Sequence, residues 1–208
     1  MGEKMKRSLV DLAAVQANHV IPSIVTHQAS QALRLVLAPD AVTPDNPNFA
    51  IVRDIDFHNG SIEVWLAGRT VADAPPEVRG FAGLAFRIAP DCSQFECVYL
   101  RPANGRAEVQ LRRNRSIQYF SYPDFKFDRL RREAAGEYES YVDLEVGAWT
   151  RLRIDVDGAT ARVFVHDAPQ PTLIVNDLKH GSDAHGAIGL YIDRGTEAFF
   201  RDLTVTPK

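Results

Sequence analysis

The stretch "DLEVGAWTRLRIDVDGATARVFV", residues 143–165, decides the fold. Apolar and polar residues alternate with period two on either side of Asp157-Gly158, the pattern of two half-buried strands. A two-residue turn at Asp157-Gly158 suits the positive φ angles of a type I′ hairpin. The expected register pairs Val156 with Ala159, Ile154 with Ala161, Leu152 with Val163 and Thr150 with Val165, so that each pair fits a core face. The other face pairs Asp155 with Thr160, Arg153 with Arg162 and Arg151 with Phe164. Like charges directly opposite destabilise a sheet. Arg153 and Arg162 are therefore expected to have carboxylate neighbours or open solvent, in preference to an anionic ligand.

The same alternation recurs along the chain. "ALRLVLA" (32–38), "GSIEVWLAG" (60–68), "GFAGLAFRIA" (80–89), "FECVYLR" (95–101), "SIQYFSY" (116–122), "GAIGLYID" (186–193) and "AFFRDLTVT" (198–206) all follow it. Many short strands and almost no helical signal predict an all-β, two-sheet antiparallel sandwich. The exception is "SLVDLAAVQANH" (8–19), which fits a short helix with Ser8 as N-cap and Asp11 completing a capping box. Residues 1–29 are expected to pack on a sandwich formed by residues 30–208. "APDAVTPDNPNF" (38–49) has the composition of a surface loop, and "PDFKFDRLRREAAGEYES" (123–140) that of a lid or long loop.

With 208 residues, 45% of them hydrophobic, the chain is long and apolar enough for one domain with a sizeable core. Its net charge of −3 argues against a general nucleic-acid binder. No apolar run approaches the roughly 20 residues of a membrane helix, so neither nucleic acid nor membrane is an expected partner. The first residues lack the unbroken apolar core of a secretory signal. Cys92 and Cys97 would lie roughly 16 Å apart on an extended strand, too far for a disulfide, and are expected as reduced, partly buried thiols. As the sequence stands this favours a reducing, cytoplasmic setting, with a secreted or periplasmic one if a leader was removed. No cofactor and no metal site are expected.

"GAWTRLRIDVDGATARVFV" resembles the Gly-x-Trp-x-x-Leu-Arg-Ile-x-Val hairpin of concanavalin A-like lectin/glucanase domains. "FHNGSIEVWLAG", "GFAGLAFR" with "FECVYLRP", and "GAIGLYIDRGTEAFFRDLTV" are similar to pieces of the same superfamily, which includes laminin-G-like and 3-keto-disaccharide hydrolase-like domains. The resemblance covers roughly residues 30–206 and implies a jelly roll with a concave face. That fold hosts lectins, glycosidases, lyases and interaction modules, so it leaves function open. The glucanase signature Glu-x-Asp-x-x-Glu is absent. Glu139, Asp143 and Glu145 stand at another spacing, which argues against a retaining glucanase and its two carboxylates about 5 Å apart.

The hairpin "FAGLAFRIAPDCSQFECVYLR" gives the candidate site. A four-residue loop, Pro90 to Ser93, would pair Arg87 with Glu96, Ala85 with Val98 and Gly83 with Leu100. An Arg–Glu pair over a floor of Gly83 and Ala85 suits sugar hydroxyls, although an ordinary cross-strand ion pair has the same pattern. Tyr99 and Arg101 continue that strand, and Gln118, Tyr119 and Tyr122 are candidates for the groove rim. Arg112, Arg113 and Arg115 are expected at a solvated hairpin end, and His180 and His185 in a glycine-rich turn. The first expectation is a carbohydrate-binding module using the concave face. A glycoside-active enzyme is the alternative, with Glu96 or, less favoured, His185 as acid or base; a strongly perturbed acid in the groove would mark it. A non-catalytic protein-interaction module is the third possibility, marked by a groove filled by the chain's own 123–140 segment.

Overall fold

The computed structural model describes residues 2–208. Fifteen strands run in the order β1 (Met5–Arg7), β2 (Val15–Asn18), β3 (Val20–His27), β4 (Ser30–Leu37), β5 (Phe49–Phe57), β6 (Gly60–Thr70), β7 (Ala82–Ile88), β8 (Phe95–Leu100), β9 (Ile117–Tyr122), β10 (Glu139–Ser140), β11 (Thr150–Asp157), β12 (Thr160–Val165), β13 (Leu173–Val175), β14 (Gly186–Ile192) and β15 (Thr196–Pro207). Three short helices interrupt them: α1 (Pro102–Gly105), α2 (Gln110–Arg113) and α3 (Phe127–Glu133). Sheet I has the order β13-β12-β11-β6-β15-β4-β3, with β1 also on β15, and sheet II the order β10-β9-β8-β7-β14-β5-β2. Every named pairing is antiparallel. The protein is an all-β sandwich.

The N-terminal segment does not sit outside the sandwich. It supplies β1 and β3 to sheet I and β2 to sheet II. The helix expected over 8–19 shrinks to one 3-10 turn, Leu12–Ala14, capped by the Asp11 side chain. Residues 15–18 pair instead with β5, so tertiary strand pairing overrides a weak local preference. Cys92 and Cys97 are both free, and Cys97 is buried.

The β11–β12 hairpin turns at Gly158-Ala159, not at Asp157-Gly158. Gly158 takes φ 57° at the first turn position, as a type II′ turn requires. Leu152 therefore faces Val165, Ile154 faces Val163 and Val156 faces Ala161. A slip of two residues keeps each side chain on its expected face and changes only its neighbour. Arg153 faces Phe164, with its guanidinium 4.1 Å from the ring centroid, and Asp155 faces Arg162. The opposed arginines do not arise.

In the β7–β8 hairpin the Ala89 N–H donates to the Gln94 carbonyl (2.9 Å), so Pro90–Ser93 form the loop as expected. Beyond it the register changes. Arg87 takes φ 54°, and Phe86, not Arg87, stands opposite Glu96. The β14 partners confirm an extra residue in β7: Ala187 faces Ile88 while Gly189 faces Ala85. This is a bulge. It reverses which β8 residues share a face with Gly83 and Ala85. One row now crosses sheet II as Phe49, Tyr191, Gly83, Tyr99, Gln118 and Glu139. A Cβ at Gly83 would lie 2.5 Å from the Tyr99 Cα, so only glycine fits there. Both faces of this region are buried: β7 and β8 are covered throughout. The face carrying Leu84 and Val98 meets the core, and the face carrying Tyr99 looks outward toward the loops.

The bulge sends the Arg87 side chain to three turns. It donates to the carbonyls of His58 (2.9 and 3.1 Å), Gly181 (3.0 Å) and Gly158 (2.8 Å), and to Asn59 Oδ1 (3.2 Å). Arg87→Ala leaves these partly buried acceptors without the guanidinium that joins them. It is expected to destabilise the fold by about 3 kcal/mol in urea unfolding. An unchanged midpoint would show that these bonds hold nothing together.

Candidate functional site

The outward face of sheet II is partly roofed. α3 packs on β9 through buried Leu130, and the 38–48 loop joins it where the Phe127 N–H donates to Asp45 Oδ2 (2.7 Å). Between these segments and residues 77–79, a pocket of about 250 Å³ opens over the end of the sheet. Tyr99, Phe81 and Arg101 form its floor and Phe127 one wall. The Tyr99 and Phe81 rings meet edge to face, with centroids 5.9 Å apart. The 101–116 segment closes another side. Gly105 lets it approach the following chain, since a Cβ there would lie 2.4 Å from the Leu144 nitrogen.

Arg101 shapes the pocket more than it presents itself. It is 5% exposed and donates to the Tyr99 hydroxyl (2.7 Å), Gln118 Oε1 (3.0 Å) and Glu139 Oε1 (3.0 Å). Glu139 also receives Arg131, and Arg115 stands 3.4 Å away. Burial alone would raise the Glu139 carboxyl. The hydrogen bond from Arg131 and the charge of Arg101 outweigh that and hold it below the usual carboxylate range.

Two aspartates line the same pocket. Asp193 accepts from the Asp45 N–H (3.0 Å) and the Arg194 N–H (2.7 Å). Asp45 is fully buried, and its Oδ1 has no partner among the described residues. Burial, and then the neighbouring Asp193, push the Asp45 carboxyl up to about 7. Burial raises Asp193 as well, against the two N–H groups that it accepts. Among the described residues no cluster of three or more His, Cys, Asp or Glu could hold a metal ion.

The residues singled out from sequence divide. Tyr99 and Arg101 line the pocket, and Gln118 supports Arg101 from behind. Arg87 and Glu96 do not form a pair over Gly83. Arg87 holds turns, and Glu96 is fully buried, accepting from the Tyr119 hydroxyl (2.7 Å) and the His180 N–H (3.0 Å). Tyr119 shares that face, so it is not on the rim. Tyr122 stacks on Phe95 with centroids 5.1 Å apart. His185 is exposed and pairs with Asp56 (2.9 Å) outside the pocket. Glu96 and His185 therefore do not meet. Arg112 and Arg115, expected at a solvated hairpin end, line the pocket, whereas Arg113 leans on Tyr141. Asp45, Asp193 and Arg79 were not singled out. The available signal was Asp193, a carboxylate in register with the buried alternation of "GAIGLYID".

A carboxyl raised on folding holds its proton in the native state, so its contribution to stability falls as pH climbs from about 4 to 7. Asp45→Asn keeps the shape and removes that titration. Relative to the variant, the unsubstituted protein is expected to lose on the order of 4 kcal/mol between pH 4 and 8. Parallel stability curves from paired denaturant melts would refute the burial of an ionisable Asp45.

No family model matches the chain, and no curated protein matches it. Solved structures do. The carbohydrate binding module CBM66 from Bacillus subtilis superposes with TM-score 0.57 at 11% identity, over 91% of this chain and 97% of that one. A Bacillus subtilis protein of unknown function with a galectin-like fold gives TM-score 0.59 at 13% identity, over 99% and 98%. The β-glucanase of Bacillus licheniformis gives 0.57 at 11% identity, over 100% and 99%. At such identities the likeness is one of fold. What the chain shares with these structures is an all-β, two-sheet antiparallel sandwich.

Proposed function

We propose that this protein binds carbohydrate in the pocket over Tyr99 and Arg101. The observation that carries the reading is the pairing of aromatic surfaces, Phe81 and Phe127, with a buried carboxylate oxygen of Asp45 that lacks a donor. A sugar ring offers both complements: an apolar C–H face for the aromatic walls and a hydroxyl for the oxygen. A volume near 250 Å³ lies just below the roughly 300 Å³ at which drug-sized sites begin, which suits one sugar unit. The fold likeness to a carbohydrate binding module supports the same reading. The 123–140 segment narrows the groove to this pocket without closing it, so the feature that would favour a plain interaction module is only half present.

A second reading has its own support. Asp45 sits beside Asp193 with a pKa near 7, in the range that a general acid needs at neutral pH. Under this reading Asp45 would protonate a leaving sugar oxygen, in the role first considered for Glu96 and His185.

Calorimetry against a panel of mono- and oligosaccharides tests both. Asp45→Asn is expected to weaken the best binder by roughly tenfold, the worth of one charge-assisted hydrogen bond. Glu96→Gln and Arg87→Ala, if folded, are expected to leave binding unchanged. Equal affinity for Asp45→Asn and the parent would remove this pocket from the reading. Release of reducing ends by the parent and not by Asp45→Asn would favour the enzyme.

A further inference from the structure

Six arginines line the pocket against three acids, Asp45, Glu77 and Asp193. Three of the arginines, Arg101, Arg115 and Arg131, share the single carboxylate of Glu139 behind the floor. Arg194 pairs with Glu77 at 3.4 Å. Among the described residues Arg79 and Arg112 form no salt bridge, and Glu77, shared with Arg194, acts on Arg79 only through its charge. Arg79 donates to the carbonyls of Pro76 and Val78, and Arg112 to Asn104 Oδ1 (3.3 Å) and the Ala103 carbonyl (3.0 Å). These neutral acceptors fix both guanidinium groups and neutralise neither. Each keeps donors free, because a guanidinium carries five N–H groups.

We propose that the ligand is an acidic saccharide, with its anionic group held between Arg79 and Arg112 and a hydroxyl donated to Asp45. This rests on the carbohydrate reading above and narrows it. The two halves of the argument are independent. The arginines call for negative charge, since covering two such cations with a neutral ring removes their water and supplies no counter-charge. The orphan Oδ1 of Asp45 calls for a donor, which a sugar hydroxyl supplies. One molecule with a carboxylate, sulfate or phosphate ester and neighbouring hydroxyls satisfies both. The surroundings agree. Burial and then the charge of Arg112 disfavour the Arg79 cation, and Glu77 offsets them only in part, so a bound anion relieves the remaining penalty.

The test uses the full chain at pH 7 with galacturonate and its short oligomers, their carboxyl-reduced neutral forms, a sulfated galactose, a galactose phosphate and inorganic phosphate. Calorimetry at low and raised salt reads affinity. The expected result is binding of at least one charged sugar, at least tenfold tighter than its neutral form and weakened by salt. Arg112→Ala and Arg79→Ala are each expected to reduce that affinity by about tenfold to a hundredfold. Arg112→Lys, which keeps the charge and loses the fork, is expected to fall between. Circular dichroism and the melting temperature show whether each variant is folded. Neutral sugars that bind as tightly as charged ones would overturn the acidic ligand and leave the carbohydrate reading standing. Arginine-dependent binding of phosphate with no response to any sugar would overturn both. Silence toward every probe would do the same.

Discussion

A β-strand has period two, so one extra residue reverses everything beyond it. The bulge at Arg87 is that residue. Without it, Glu96 would share a face with Gly83 and Ala85, and Tyr99 would point into the core. With it, the Tyr99 ring and the base of Arg101 reach the outward face, while Glu96 turns toward Tyr119 and His180. Pocket floor and core composition thus both depend on one left-handed backbone position. The arginine there also locks three turns through carbonyl contacts, so the distortion is held in place by the side chain that it displaces.

Buried carboxylates are costly unless they are satisfied, and the chain treats its own in three ways. Glu96 is fully paired by one hydroxyl and one backbone N–H. Glu139 is over-supplied by three arginines. Asp45 is under-supplied, with one oxygen bonded to the α3 backbone and the other idle. The first two arrangements stabilise structure. The third leaves unmet bonding capacity inside a cavity, and protein interiors rarely retain such capacity without use.

Period-two alternation made the sandwich legible, because each of the strands named from it needs one apolar face. The β11–β12 pairing slipped by two residues because Asp-Gly and Gly-Ala can both form tight turns, and the slip is silent to facing. The β7–β8 pairing failed more seriously, since nothing in "FAGLAFRIAP" marks a non-glycine residue with positive φ. Site residues on the strands, Tyr99 and Arg101, could be named. Those outside the strands could not: Asp45 lies in a proline-rich stretch with the composition of solvent-facing chain, and Arg112, on the short α2, stands in a basic run that usually marks a surface. Their convergence is tertiary and has no local pattern.

The margins of the two sheets carry a last consequence. Sheet I ends in the three-residue β13 on one side and in β3 on the other, where Pro22 interrupts the row of N–H donors. Sheet II ends in the two-residue β10 and the four-residue β2. Unpaired strand margins are templates for a second chain, and short or proline-broken ones are poor templates. Three of the four margins are thus too short to template a long added strand, and the fourth, β3, carries a proline.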